Sequence, residues 1–212
     1  MFPIRITSDI IGLNSKHIDY SKKHLSILDE FAIDIASVIN KFFSYAIVGG
    51  YVSILFGRSR GTEDIDFIIR PRNALENAII YLFKEIEKYN FWSINCSNAV
   101  YALRECIPSK IRIRLARKNM VIPNAELKIA ESKLDYESIE KRLKITINKN
   151  RQLYIGPLEL NIAYKFYLGS QKDIEDAVHL FCLFKEIINK NAIQNYVSQL
   201  GLKVNINEFL KC

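Results

Sequence analysis

The chain has 212 residues, 49% hydrophobic and 25% charged, a balance that excludes wholesale disorder and supplies a sizeable core for one or two domains. Lys and Arg number 30 against 23 Asp and Glu, a formal charge of +7, so nucleic acid, nucleotides and acidic membrane surfaces are candidate partners, although many globular proteins of this charge bind no polyanion. No run approaches the ~18 apolar residues of a membrane span, and the opening MFPIRITSDIIG carries an Asp and no long apolar stretch, so neither a membrane segment nor a signal peptide is expected and a cytoplasmic protein is.

Residues 20–40 read as an amphipathic helix, with Leu25, Leu28, Phe31, Ile35, Val38 and Ile39 at helical spacing. Tyr45–Val48 is a short apolar strand ending at Gly49-Gly50, and Tyr51–Phe56 supplies one or two helical turns after it. A polar loop over residues 57–62 leads into a strand, Ile65–Arg70, stopped by Pro71. A helix follows over 74–88, with Asn73 as its expected N-cap, then a strand at Phe91–Ile94. Lys110–Arg117 alternates, with Ile111, Ile113 and Leu115 facing one way and Lys110, Arg112 and Arg114 the other. Ala125–Ala130 is a further strand, and Leu143–Ile147 with Gln152–Ile155 reads as a hairpin across Asn148-Lys149-Asn150. Helices dominate from Leu158 to about Leu200, broken at Gly169-Ser170. The order predicts an α+β domain over 1–156, a small mixed sheet flanked by helices, with a helical region over 157–212 packed on it.

Cys96, Cys106, Cys182 and Cys212 form no CxxC pair, and His17, His24 and His179 form no cluster with them. No structural zinc site is expected, and the thiols are expected to be reduced and mostly buried.

The chemistry is concentrated in IVGGYVSILFGRSRGTEDIDFII, residues 47–69. The strand ends at Gly49-Gly50, where missing side chains let backbone approach a ligand, and N–H groups at such a turn can hold phosphate. Arg58 and Arg60 add positive charge. Asp64 and Asp66, at i and i+2 of a strand, leave from the same face about 7 Å apart. Two carboxylates so placed repel unless a cation lies between them, and hard oxygen donors favour Mg²⁺, which commonly keeps substrate phosphates as further ligands. The bland alternative is a surface acid pair bonded to Arg58 or Arg60. Against it, Ile65, Phe67, Ile68 and Ile69 mark a largely buried strand, where two acids are rare without a function.

These residues resemble a known family. Gly49-Gly50, thirteen residues, then Asp64-Ile65-Asp66-Phe67 is similar to the signature of the DNA polymerase beta-type nucleotidyltransferases. Gly57-Arg58-x-Arg60-x-Thr62-x-Asp64 is similar to the branch containing AbiEii-type toxins. Lys165 and Lys172-Asp173-x-x-Asp176, with Pro157-Leu158-Glu159-Leu160 before them, resemble that branch's later motifs.

The resemblance implies that Asp64 and Asp66 hold Mg²⁺ or Mn²⁺, that Gly49, Gly50, Arg58, Arg60, Thr62, Lys165, Lys172 and Asp176 serve an NTP, and that a third carboxylate comes from a later strand. Glu126 is the best match for that carboxylate, with Glu131 and Asp135 behind it. It implies transfer of a nucleoside monophosphate to an acceptor hydroxyl. The acceptor would be tRNA for a toxin that acts beside an antitoxin protein, or a small molecule for an antibiotic-type adenylyltransferase. A non-catalytic nucleotide-binding module is a further alternative. Read without the resemblance, Lys165 is a solvated lysine, Lys172 and Asp176 are an i,i+4 surface pair, and Ser170 with Asp173 is a capping box. The row Lys110, Arg112, Arg114, with Arg117 and Lys118 beyond, is either a track for a phosphate backbone or a solvated sheet face.

Overall fold

The computed structural model describes residues 17–148 and 151–212. The opening segment, read above as lacking a signal peptide, and residues 149 and 150 of the expected hairpin turn lie outside them.

Among the described residues, eight strands form one mixed sheet in the order β1-β7-β8-β2-β3-β6-β5-β4. They are β1 (His17–Tyr20), β2 (Phe43–Val48), β3 (Asp64–Pro71), β4 (Phe91–Ser93), β5 (Ile113–Arg117), β6 (Asn124–Ile129), β7 (Leu143–Ile147) and β8 (Arg151–Ile155). The longer helices are α1 (Ile27–Ile39), α2 (Gly50–Leu55), α3 (Leu75–Lys88), α5 (Lys133–Glu140), α6 (Leu158–Leu168), α7 (Gln171–Phe184) and α8 (Lys190–Gln199). Between β4 and β5 a single turn, α4 (Ala99–Tyr101), runs into a π-helical turn over Ala102–Cys106. The protein is therefore α+β, with helices flanking a mixed sheet and closing the C-terminal part of the chain.

The centre of the sheet follows from period-2 alternation. Ile65, Phe67 and Ile69 of β3 are fully buried in the main core, with Ile113 and Leu115 of β5 and Leu127 of β6. Phe31, Ile35, Val38 and Ile39 of α1 and Ile79, Leu82 and Ile86 of α3 fill the same cluster. Each such side chain contributes about 1.5–3 kcal/mol through burial. On the opposite face Ile68 packs with Ala46, Ala130 and Ile139 of α5 in a small separate cluster. Asp64 and Asp66 share that face, because they alternate with Ile65 and Phe67.

The main cluster runs without a break from Ile18 to Leu210 and includes Leu158, Ile162 and Phe166 of α6 and Ala177, Leu180 and Phe184 of α7. Helices α6 to α8 thus complete the core that the sheet begins.

Several local expectations are corrected. The first helix starts at Ile27, because Ser26 and Asp29 form a capping box: Ser26 Oγ accepts the Asp29 N–H at 3.1 Å, and Asp29 Oδ2 accepts the Ser26 N–H at 2.8 Å. Tyr20, upstream, ends the unexpected edge strand β1, which pairs in parallel with β7. Helix α3 begins after Ala74, not Asn73, and has no side-chain cap. The alternation expected from Lys110 begins only at Ile113: Lys110 has φ 56° and Ile111 is exposed, so neither belongs to the strand. The reduced-thiol reading is also overturned. Cys96 is bonded to Cys106 and Cys182 to Cys212, pairings set by tertiary placement across separations of 10 and 30 residues.

Asp29 does more than cap. Buried, it also takes hydrogen bonds from Lys23 Nζ at 2.8 Å and from the Tyr51 hydroxyl at 2.8 Å, which ties α1 to α2. Burial pushes its carboxyl up, but the Lys23 ammonium and the Ser26 N–H and hydroxyl outweigh that and hold it below the usual range. A carboxylate depressed in the folded state stabilises it above the unfolded value of about 3.9, and this stabilisation is lost as pH falls through the folded-state value. Asp29→Asn is therefore expected to lower the melting temperature at pH 7, by the equivalent of about 1–3 kcal/mol. Thermal melts from pH 7 down to pH 3 should show the gap closing as the parent loses the same charge.

Candidate active site

Strand register builds the acidic part of the site. Asp66 of β3 lies directly opposite Glu126 of β6, and Asp64 opposite Asn124. Glu126 in turn lies opposite Arg114 of β5. Carboxylates from two strands and a guanidinium from a third therefore share one face. Each acid already has a partner, and two of them share one. Thr62 Oγ1 donates to Asp64 Oδ1 at 3.1 Å. Arg112 Nη1 donates to Asp66 Oδ1 at 2.5 Å and to Glu126 Oε2 at 3.0 Å, so one nitrogen bridges both strands. Arg114 Nε reaches Glu126 Oε1 at 3.2 Å and Asn124 Oδ1 at 3.3 Å.

Burial pushes the Asp66 carboxyl above the usual carboxylate range; the Asp64 and Glu126 charges add to this, and the Arg112 guanidinium offsets part of it. Burial alone would lower the Arg112 guanidinium, but the Asp66 and Glu126 carboxylates hold it above its ordinary value.

The Gly-Gly turn abuts these acids. Gly49 has φ 76°, where a side chain strains the backbone, and a Cβ there would stand 2.6 Å from Asp66 Oδ2. A Cβ on Gly50 would stand 2.2 Å from Arg60 Nη2. A side chain at either position would therefore displace Asp66 or Arg60, and at Gly49 it would also strain the backbone. Gly49→Ala is expected to destabilise the fold by about 1–2 kcal/mol through backbone strain and to push the Asp66 carboxylate aside. A thermal melt and a divalent-cation titration of the variant would check both effects. With six residues, α2 is too short for its dipole to hold an anion unaided.

Behind the turn lies a buried charge cluster. Asp176 of α7 is fully buried and accepts two parallel bonds from Arg60, Nε to Oδ1 at 3.1 Å and Nη2 to Oδ2 at 2.8 Å. Lys165 of α6, 3% exposed, places Nζ 2.9 Å from Asp176 Oδ2 and 2.8 Å from Asp173 Oδ1. Arg58 pairs with Glu175 and approaches Asp176 Oδ1 at 3.6 Å. Burial pushes the Asp173 carboxyl up, but bonds from Lys165 and Ser170 hold it below the usual range. Lys165 is accordingly not a solvated lysine, and Lys172 is not the partner of Asp176. Ser170 Oγ accepts the Asp173 N–H at 3.4 Å and donates its hydroxyl to Asp173 Oδ2 at 2.5 Å, but the Asp173 carboxylate takes no bond from the Ser170 N–H, so the reciprocal capping box does not form.

A cleft of about 740 Å³ opens over this face. Gly49, Gly50, Arg60, Thr62, Asp64, Asp66, Lys165 and Lys172 line it. Glu126, Arg58 and Asp176 do not: Glu126 stands beside Asp66 under Arg112 and Arg114, and Asp176 sits behind Arg60 and Lys165. The far wall is aromatic and apolar. Tyr164 and Tyr167 of α6, their rings 5.4 Å apart, and the neighbouring Leu168 are each about half exposed. Glu131 pairs with Lys110, and Asp135 caps α5 and pairs with Lys128, so neither competes with Glu126 for the place opposite Asp66.

Two features were not read from the sequence as parts of a site. Arg112 belongs to a row that reads as either a polyanion track or a solvated sheet face; with Arg114 it serves the acids instead. The other is the aromatic wall. Its signal is present in Tyr164 and Tyr167, which are three apart on a helix whose other residues are mostly apolar.

A divalent cation suits this donor set: the side chains are hard carboxylate oxygens on adjacent strands, and their mutual repulsion, felt at Asp66, is what such a charge relieves. Asp64 and Asp66 would hold it, with Glu126 beside them. Among the described residues no three acidic, histidine or cysteine side chains are already drawn into a cage. No family model matches the chain, and no curated protein matches it either. Among the described residues no helix is long and apolar enough to cross a membrane.

Proposed function

We propose that the protein is a nucleotidyltransferase that moves a nucleoside monophosphate from an NTP to an acceptor hydroxyl and releases pyrophosphate. The observation that carries this reading is the register of Asp66 with Glu126 against the glycine turn, at a cleft lined by Asp66, Asp64, Arg60 and Lys172. The family resemblance of the sequence motifs supports it independently. Bound Mg²⁺ or Mn²⁺ supplies charge stabilisation at the α-phosphate and the leaving group.

The chain's own groups do the rest. Asp64 and Asp66 orient the cation through their carboxylate oxygens. Gly49 and Gly50 keep the turn clear of side chains. Lys172, exposed at the start of α7, and Arg60 face the triphosphate, and Asp176 fixes the Arg60 guanidinium so that little ordering remains when phosphate arrives. Lys165 holds α6 and α7 in place rather than reaching out. Glu126, opposite Asp66 and held by Arg114, is the third carboxylate beside the cation's place.

For the acceptor, the charge of the chain supports RNA, with tRNA ends and a cognate antitoxin following from the resemblance. A small-molecule acceptor has a specific observation in its favour. Arg112 and Arg114, expected to track a polyanion, are engaged by carboxylates, while the cleft wall carries the Tyr164–Tyr167 pair. A ring-bearing substrate stacks on such a wall. The test is label transfer with each α-labelled NTP, Mg²⁺ or Mn²⁺, and either total RNA or hydroxyl-bearing antibiotics, with Asp66→Asn alongside. Label in a tRNA-sized band selects RNA, and label on the small molecule selects the second reading. NTP binding with no transfer to either acceptor would leave a non-catalytic nucleotide-binding module.

A further inference from the structure

We propose that Arg112 is a built-in counter-cation: its guanidinium takes the divalent ion's place between Asp66 and Glu126 in the free protein and leaves when the ion binds. The inference rests on the metal-dependent reading above and goes beyond it, because it assigns the resting state of the site to one residue.

Three observations carry it. First, a single nitrogen, Nη1, contacts Asp66 at 2.5 Å and Glu126 at 3.0 Å, so it lies where one positive charge serves acids from both strands. A guanidinium and a divalent ion cannot both occupy that point. Second, Arg112 is poised to leave. It precedes β5, outside the strand ladder, its side chain is 46% exposed, and it lines the open cleft, so its charge can return to water at little cost. Third, Glu126 does not depend on Arg112 alone. Arg114, on the strand itself, bonds Glu126 Oε1 and Asn124 and holds that carboxylate in register when Arg112 departs.

The consequence is competition. Without the guanidinium, Asp66 would be left facing Glu126 and Asp64 with only Arg114, on Glu126, to offset the three acids, and a divalent ion would bind more readily. With it, the ion must displace a charge-assisted pair, which weakens its apparent affinity. A lysine at this position keeps the charge but not the forked geometry, so its effect falls between the two.

The experiment is a Mn²⁺ titration of the free protein followed by electron paramagnetic resonance, on the parent, Arg112→Gln, Arg112→Lys and Asp66→Asn, with thermal melts in EDTA as the check on folding. The expected result is tighter Mn²⁺ binding by Arg112→Gln, by at least about tenfold, a smaller gain in Arg112→Lys, and loss of binding in Asp66→Asn. In EDTA, Arg112→Gln should melt below the parent, and saturating Mn²⁺ should narrow that gap. Equal affinity in the parent and Arg112→Gln, with Asp66→Asn defective, would overturn the role of Arg112 and leave the metal site standing. No specific Mn²⁺ binding by any of the proteins would overturn both.

Discussion

Asp66→Asn is expected to abolish nucleotidyl transfer, lowering it by about 10³-fold or more, while the chain stays folded. On the proposed reading the effect is large because a cation held by Asp64 and Asp66 would supply several kcal/mol of transition-state stabilisation, and each 1.36 kcal/mol is a factor of ten in rate. The amide keeps the shape of the side chain but removes the charge that binds the ion. The fold survives because Asp66 already sits in surroundings that disfavour its ionised form, and because Arg112 keeps Glu126 as a partner. Incorporation of α-labelled NTP into the acceptor, measured beside circular dichroism of the same sample, checks both halves. Parental activity in a folded variant would remove Asp66 from the chemistry.

The second large effect is on stability. Asp176→Ala is expected to cost about 3–5 kcal/mol, the range for removing one partner of a buried ion pair and leaving its counter-charges uncompensated. Here Arg60 loses both of its carboxylate bonds, and Lys165 loses one of its two acid partners and keeps Asp173. Against a typical stability of about 5–15 kcal/mol that is a severe loss. Urea unfolding would show a lowered midpoint at unchanged slope. Asp176→Asn keeps the hydrogen-bond acceptor and should cost less. Midpoints within error of the parent for both variants would mean that the cluster is not what joins the loop before β3 to α7.

The strand that carries Asp64 and Asp66 was legible in the sequence because alternation and burial act locally: Ile65, Phe67 and Ile69 face one way, and the two acids are left on the other face. The flanking helices of the α+β fold were legible for the same reason, through their helical spacing of apolar residues. The edge strand β1 was not, since His17–Tyr20 is four residues long and is fixed by pairing with β7 far along the chain. Glu126 could be nominated only from family resemblance, because its place opposite Asp66 is a matter of register between distant strands. The acids of α7 show the limit most clearly. Local rules assigned Asp173 to a cap and Asp176 to Lys172. Yet Asp176 bonds Arg60, separated from it by 116 positions, because a buried carboxylate needs more than one exposed lysine to offset its desolvation. Arg112 was misread in the same way: its charge was visible, but its distance from Asp66 was not.

The Asp176 cluster also has a consequence for synthesis. Arg58 and Arg60 are made long before α7, and until Asp176 follows them they have no interior acid to engage. A ribosome-bound chain that stops before α7 therefore holds neither the Arg60 side of the cleft in place nor the helices that finish the core. The Arg60 wall of the cleft is therefore set only once α7 has docked on the sheet.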